Sequence, residues 1–270
     1  MRVGDQSGTS SDWELRARAL GRDPRGVLFK SFPPALNRYL HDWHVAEVRR
    51  VLAEFTEPAR VKVLDVGCGY GRLSLALRQA DPRVQAIGID AAPTFARLFQ
   101  DETGGVAVVN DLRGLPLRSA TCDLVLMVTT LMYVPADRRA VLIGECLRVL
   151  KPGGRLLLIE PSHHGQQLYT VFGVLTWLAG RLGLMEASVQ TGGHAFVYPE
   201  IDRLVQDGGG EIVRRSGVVR FSVLLPMLLA FSSLNAARFI GRVLAACPAS
   251  VGAKKYSVHI CYEIKGTRET

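Results

Sequence analysis

A chain of 270 residues with 48% hydrophobic and 21% charged side chains can bury a sizeable core, which excludes disorder for its bulk and bounds it to one or two domains. Lys and Arg outnumber Asp and Glu by 33 to 25, a formal net charge of +8, and an isoelectric point near 9.5 accompanies a positive mean hydropathy of +0.14. Such a surface favours phosphates, nucleic acid or anionic lipid without choosing among them. The cysteines Cys68, Cys122, Cys146, Cys247 and Cys261 are scattered and form no C-x-x-C pair. Neither a disulfide framework nor a zinc site is expected, and a reducing compartment fits best.

In chain order, the first dozen residues, MRVGDQSGTSSD, are polar and lack an apolar signal core, so they read as a flexible start to a cytoplasmic protein. Residues 31–44 lead through Pro33-Pro34 into a helix over 45–54. Short β-branched runs at 61–66, 84–90, 106–110, 122–128 and 155–160 then alternate with helix-period stretches at 71–79, 93–100 and 138–150. That alternation predicts a parallel α/β sheet. Lys151-Pro152-Gly153-Gly154 stops the last of these helices, since proline cannot continue one and glycine accepts the turn that follows. After the fifth strand an apolar stretch, 168–185, is interrupted only by Arg181. A short helix over 198–206 ends at the glycines 208–210, and strands over 211–223 and 256–264 enclose a second apolar stretch, 224–247, containing Pro226. The expected organisation is a flexible start and N-terminal cap over 1–44, then one domain over 45–270 with helical insertions at about 162–197 and 224–250.

The segment that carries chemistry is Val63-Leu64-Asp65-Val66-Gly67-Cys68-Gly69-Tyr70-Gly71, an apolar strand entering a glycine-rich turn and then a helix. Glycines there let backbone approach a ligand, and the helix N-terminus offers free N–H groups. In a dinucleotide fingerprint the third glycine of G-x-G-x-x-G would fall at Arg72, so the spacing is G-x-G-x-G instead. Asp65, two residues before the first glycine, would repel a pyrophosphate and suits a cofactor bearing an ammonium group.

From roughly residue 45 to 264 the chain resembles the class I S-adenosylmethionine-dependent methyltransferases. Asp90, ending Ile87-Gly88-Ile89-Asp90, matches the family's acid for the ribose hydroxyls, and a carboxylate is a natural acceptor for a vicinal diol. Asn110-Asp111-Leu112 matches the position that meets the adenine. Cys122-Asp123-Leu124-Val125-Leu126 is similar to the family's fourth strand, and Arg148-Val149-Leu150-Lys151-Pro152-Gly153-Gly154 to the turn before its fifth. The resemblance implies a Rossmann-like seven-stranded sheet of order 3-2-1-4-5-7-6, strand 7 antiparallel, with an N-terminal helical cap and S-adenosyl-L-methionine over the carboxyl ends of strands 1 to 4. Carried over residue by residue, Asp65, Gly67 and Gly69 would cradle the methionine part, Asp90 would hold the ribose, and Asp111 with Leu112 the adenine, with Cys68, Gly71, Ala91, Asn110 and Thr129 as further cofactor-binding candidates.

Methyl transfer from a sulfonium is an in-line displacement, so holding the reactants at near-attack distance supplies much of the catalysis. A general base is needed only for an acceptor protonated at neutral pH. His163 and Tyr133 are the candidate catalytic residues, one directly after the fifth strand and the other after the fourth. His164, His41, His44 and His194 are further candidates, and Lys30, Phe32 and Tyr39 are placed to close over the cofactor. Each histidine has the ordinary alternative of a solvated or capping side chain, and Tyr133 that of a partly buried aromatic with its hydroxyl satisfied.

The runs 168–185 and 221–240 approach a bilayer's thickness at helical rise, but residues 221–223 belong to the expected sixth strand, and Arg181, Pro226, Asn235 and Arg238 interrupt the runs. They read instead as an apolar acceptor pocket or lid. An alternative is peripheral membrane contact, with Arg214, Arg215, Arg220, Arg238 and Arg242 meeting anionic headgroups. No interleaving of basic and aromatic residues argues for nucleic acid. The expectation is a cytoplasmic enzyme, with no metal, that methylates a small or medium-sized lipophilic acceptor. A secondary metabolite, a quinone-like ring and a modified peptide are the types considered, with oxygen modestly favoured. The alternatives are an S-adenosylmethionine-binding scaffold or cyclisation enzyme that transfers no methyl, and a dinucleotide-dependent oxidoreductase, against which Arg72 speaks.

Overall fold

Strands that are apolar at nearly every position are expected to be covered on both faces, and in the computed structural model the central ones are, while Val106 and Val109 of the edge strand are exposed. The structure describes residues 10–28, 34–56, 59–163, 193–219 and 257–266. The strands are β1 (Val61–Val66), β2 (Val84–Asp90), β3 (Val106–Val109), β4 (Cys122–Val128), β5 (Leu150–Pro161), β6 (Gly210–Val219) and β7 (Ser257–Gly266). They form one sheet in the order β3-β2-β1-β4-β5-β7-β6. Pairing from β3 to β5 is parallel, and β7 runs antiparallel to β5 and β6. The Rossmann-like architecture expected from the resemblance is therefore present.

Helices α1 (Ser10–Leu20), α2 (Pro34–Leu52), α3 (Arg72–Ala80), α4 (Pro93–Thr103), α5 (Arg139–Val149) and α6 (Tyr198–Asp207), with 3-10 turns at Pro24–Gly26, Leu131–Tyr133 and Ala136–Arg138, complete the described elements. Alternation along the strands sorts the core into two layers, because successive side chains point to opposite faces. Val63, Leu124, Leu126 and Leu157 meet Val48 and Val51 of α2 and Leu73 and Leu77 of α3. Leu64, Val125, Met127 and Leu158 meet Leu142 and Ile143 of α5 and Ile201 and Val205 of α6. Each such fully buried side chain stabilises the fold by about 1.5–3 kcal/mol relative to exposure.

Three boundaries differ from the sequence expectation. Residues 10–12, taken as part of a flexible start, begin α1, because Trp13 and Ala17 pack against Ala92 and Phe95. Tertiary burial overrides a polar composition there. Helix α2 starts at Pro34 rather than near residue 45, since proline is tolerated in a first turn. Residues 151–154 lie inside β5, which starts at Leu150. Cys122 pairs with Leu150 and Leu124 with Arg155, and Gly153 absorbs the bulge at φ 78°. The stretches 168–185 and 224–247, together with Lys30, Phe32, His164, Arg220, Arg238, Arg242 and Cys247, lie outside the described residues, as does the side chain of Tyr39. Cys68, Cys122, Cys146 and Cys261 are buried free thiols.

Candidate cofactor site

The first turn after β1 is shaped by what lies behind it. Gly67 has φ 71°, and a Cβ there would collide with the Thr130 side chain from the loop after β4. Gly69 has φ 54°, and its Cβ would stand 2.5 Å from Val27 Cγ1 of the N-terminal segment. Only glycine combines this left-handed backbone with such contacts. The Gly67 and Cys68 amides both donate to the Ile89 carbonyl at 2.8 and 3.0 Å, so the turn is tied to the end of β2.

That end carries Asp90. Its Oδ2 accepts from the Gly69 amide at 2.8 Å and its Oδ1 from the Ala92 amide at 2.9 Å. Burial pushes its pKa up against the pull of these amides. Asp65, on β1, is deeply buried and accepts from Ser74 Oγ at 2.7 Å. Its pKa is pushed up to about 7, burial outweighing the Ser74 hydroxyl and nearby Arg72. After β3 the Asn110 side-chain oxygen accepts from the Leu112 amide at 2.7 Å, and Asp111 accepts from the Arg113 amide and pairs with its guanidinium. These Asx turns hold Leu112 at φ 61°.

Together with Val128, Thr129 and Thr130 at the end of β4, these segments line a cavity of about 320 Å³, within the range of small-ligand sites. It lies at the carboxyl ends of four adjacent parallel strands, where open α/β sheets bind ligands. Thr129, β-branched, is held at φ 54°, backbone strain of the kind that gathers at ligand sites. Tyr133, in the 3-10 turn Leu131–Tyr133, also borders the cavity, with Trp13 of α1 standing edge-on at 4.8 Å between ring centroids. Arg16 lies 5.0 Å over the Trp13 ring and donates to the Arg25 and Leu28 carbonyls.

Of the residues singled out in the sequence, Asp65, Gly67, Cys68, Gly69, Asp90, Ala91, Asp111, Leu112, Thr129 and Tyr133 border this cavity, whereas Gly71, Asn110 and His163 do not. Gly71 is the residue before α3, and Asn110 supports the wall through Leu112. His163 is exposed beyond β5, its amide donating to the Phe196 carbonyl at 2.8 Å. His194 stands outside the cavity too, hydrogen-bonded to Glu200 at 2.7 Å.

Four features of the site leave little trace in the sequence. Ser10, Trp13 and Val27 close the cavity from the N-terminal side; the only trace in the sequence is a Ser-Ser-Asp start ahead of an aromatic residue, a helix-start signal. Arg72 borders the cavity and donates to His41 Nδ1 at 3.2 Å and His44 Nδ1 at 3.0 Å. His44 Nε2 and His259 Nδ1 are 3.1 Å apart. Because arginine can only donate, His41 and His44 accept at Nδ1 and are neutral, which leaves the His44 Nε2–H to donate to His259. Burial first, and the arginine's charge second, lower His41 to about 4 and His259 to about 3, and hold His44 well below the usual range. The fourth feature is Glu160, fully buried at the end of β5. Burial raises its pKa to about 8 although the amides of residues 130–132 pull it down; a carboxylate ending an otherwise apolar strand was its trace in the sequence.

Residues 64–158 match a family model described as a methyltransferase domain. The chain is 31% identical over 154 residues to the ubiquinone/menaquinone biosynthesis C-methyltransferase UbiE of Syntrophotalea carbinolica, covering 53% of this chain and 62% of that one. It is 34% identical over 103 residues to the malonyl-[acyl-carrier protein] O-methyltransferase of Methylococcus capsulatus, 37% of each chain. The chain thus spans less than two thirds of the length of these relatives. In fold it is similar to magnesium protoporphyrin IX methyltransferase from Synechocystis PCC 6803 with bound S-adenosylmethionine, with a TM-score of 0.59 at 15% identity, over 98% of this chain and 99% of that one. Residues 64–158 thus carry a methyltransferase domain, and the sheet order and the glycine turn beside Asp65 are those of the class I S-adenosylmethionine-dependent methyltransferases, which this chain resembles.

Proposed function

We propose that the chain transfers the methyl group of S-adenosylmethionine to a small or medium-sized lipophilic acceptor, with oxygen favoured over carbon or nitrogen. The observation that carries this reading is the distribution of chemistry around one cavity. Buried carboxylates, Asp65 and Asp90, face it from successive strand ends, and apolar Leu112, Val128 and Val134 and the aromatic pair Trp13 and Tyr133 complete the wall. The donor set fits the cofactor. A carboxylate accepts about four hydrogen bonds and the Gly69 and Ala92 amides take two at Asp90, leaving capacity for a ribose diol. A buried Asp65 with a raised pKa gains from an ammonium partner. Asp111 and Leu112 are assigned to the adenine, with Asn110 and Gly71 supporting their turns.

When bound, S-adenosylmethionine supplies a methyl group on a sulfonium, which the acceptor displaces in line. The chain's own residues orient and desolvate. Trp13 and Tyr133 exclude water from one side of the cavity, and Tyr133 is assigned contact with the acceptor. The acceptor's lipophilic character is supported by the composition of 168–185 and 224–247 and by the relatives, which include ubiquinone and menaquinone methyltransferases. Methyl-labelled S-adenosylmethionine offered with 1,4-naphthohydroquinone or with malonyl-pantetheine tests the reading. Labelled product matched by S-adenosylhomocysteine supports it; no product from either probe, with S-adenosylhomocysteine still binding, favours a scaffold that retains the cofactor without transfer.

A further inference from the structure

Glu160 departs most from what a strand end requires. It is fully buried, yet its Oε1 accepts from the amides of Thr130 at 3.0 Å and Leu131 at 2.7 Å, and its Oε2 from that of Met132 at 3.3 Å. These are successive amides at the start of the 3-10 turn Leu131–Tyr133, which has no side-chain cap of its own. The cap arrives from another strand, about thirty residues on. Burying a carboxylate is costly unless it is fully hydrogen-bonded, and an apolar side chain would fill the same space without that cost. The spending is concentrated on one short turn.

The same turn is held on every other side. Thr130 Oγ1 donates to the Val66 carbonyl at 3.1 Å, beside Gly67. The Met132 carbonyl accepts from the His194 amide at 2.9 Å. Arg139, buried on α5, donates through Nε to the Val134 carbonyl at 3.0 Å, so a carboxyl group takes the amides at the front of the segment and a guanidinium takes a carbonyl at its rear. Two members of the clamped segment, Thr129 and Tyr133, border the cavity, and Thr129 does so in the left-handed region.

We propose that Glu160 is a positioning residue for methyl transfer: from the end of β5 it fixes the turn after β4, and thereby the Tyr133 side of the cavity where the acceptor must approach. This rests on the reading of the chain as a methyltransferase. Near-attack geometry is sensitive to displacements of about 1 Å, so a loosened turn lowers turnover more than it lowers cofactor affinity.

The test is Glu160→Gln, which keeps the side chain's size but turns one oxygen into a donor facing amides that also donate. With whichever of 1,4-naphthohydroquinone or malonyl-pantetheine the unaltered protein methylates, kcat is expected to fall by about tenfold or more, while KM for S-adenosylmethionine and affinity for S-adenosylhomocysteine stay within about threefold. Unchanged kcat overturns the proposal. So does a fall in kcat that merely follows lost S-adenosylhomocysteine sites and lost folded fraction, the mark of a structural role. If neither probe is methylated, the methyltransferase reading fails by itself, and amide hydrogen exchange still decides the positioning role. In the unaltered protein bound to S-adenosylhomocysteine, the amides of residues 130–132 are expected to exchange as slowly as those of β4; rapid exchange there overturns the proposal even if the variant fails to fold.

Discussion

At the scale of single residues, the site's carboxylates and the histidines behind it titrate in opposite senses. Asp65 has a folded pKa near 7, above its unfolded value of about 3.9, so its contribution to stability is present at low pH and is lost as pH rises toward 7. A cofactor ammonium needs the ionised form. Affinity for S-adenosylhomocysteine is therefore expected to rise with pH up to about 7 and then level off, and calorimetry in buffers of different ionisation enthalpy should detect the released proton; a flat profile would remove Asp65 from the ammonium. His41, His44 and His259 have folded pKa values lowered by burial. They are stabilising above pH ~6.5, and that stability is lost as pH falls toward 4 and 3, by at most about 1.4 kcal/mol per pH unit for each histidine. Between pH 7 and 5 Asp65 and Glu160 gain stability while the histidines lose it, so the check is a difference: the urea midpoint of the free unaltered protein relative to that of His259→Phe should fall from pH 7 to 5. Gly67→Ala tests the turn. Positive φ and the collision with Thr130 together cost about 2–4 kcal/mol, read as a lower urea midpoint and weakened S-adenosylhomocysteine binding.

At the scale of elements, α1 is the part whose role was least legible. Six of its 11 residues are polar or charged, and only contact with α4 reveals the role of the rest. Glu14 accepts from the Thr94 amide at 3.0 Å and hydroxyl at 2.7 Å at the start of α4, and these bonds, then the Arg18 pair, lower its pKa to about 2. Ser10 Oγ donates to the Ala91 carbonyl at 3.2 Å beside Asp90. Trp13→Ala is accordingly expected to weaken S-adenosylhomocysteine binding by about tenfold, or about 1.4 kcal/mol, while leaving the sheet's amide protection intact; unchanged affinity would detach α1 from the site. The parallel strands were legible because burial on both faces demands continuous apolar runs, and β1, β2 and β4 fall where the sequence put them. The junction of α5 and β5 was not. Proline and glycines at 152–154 normally terminate an element, yet here they form a bulge within one, pinned where Lys151 Nζ pairs with Asp123 at 2.8 Å. The floor of the cavity was readable because the strand ends are fixed by chain order. Its supports at Arg72 and Glu160 were not, because their partners lie 28 to 31 residues away and depend on the packing of α2 and the loop after β4.

For the whole molecule, the sheet core accounts for the ordinary apolar content of a basic, hydrophobic chain. The further apolar stretches, 168–185 and 224–247, fall in the sequence after β5 and between β6 and β7, and are assigned here to the acceptor. Among the described residues no helix is long and apolar enough to cross a membrane. The cavity at the ends of β1 to β4 is proposed to hold S-adenosylmethionine through Asp90 and its neighbours. Isothermal titration of the free protein with S-adenosylhomocysteine tests this most directly, comparing the unaltered chain with Asp90→Ala. One site per chain, with affinity reduced at least about tenfold in the variant through loss of the acceptor for the ribose diol, is the predicted result; no binding, or equal affinity in the two proteins, would contradict it.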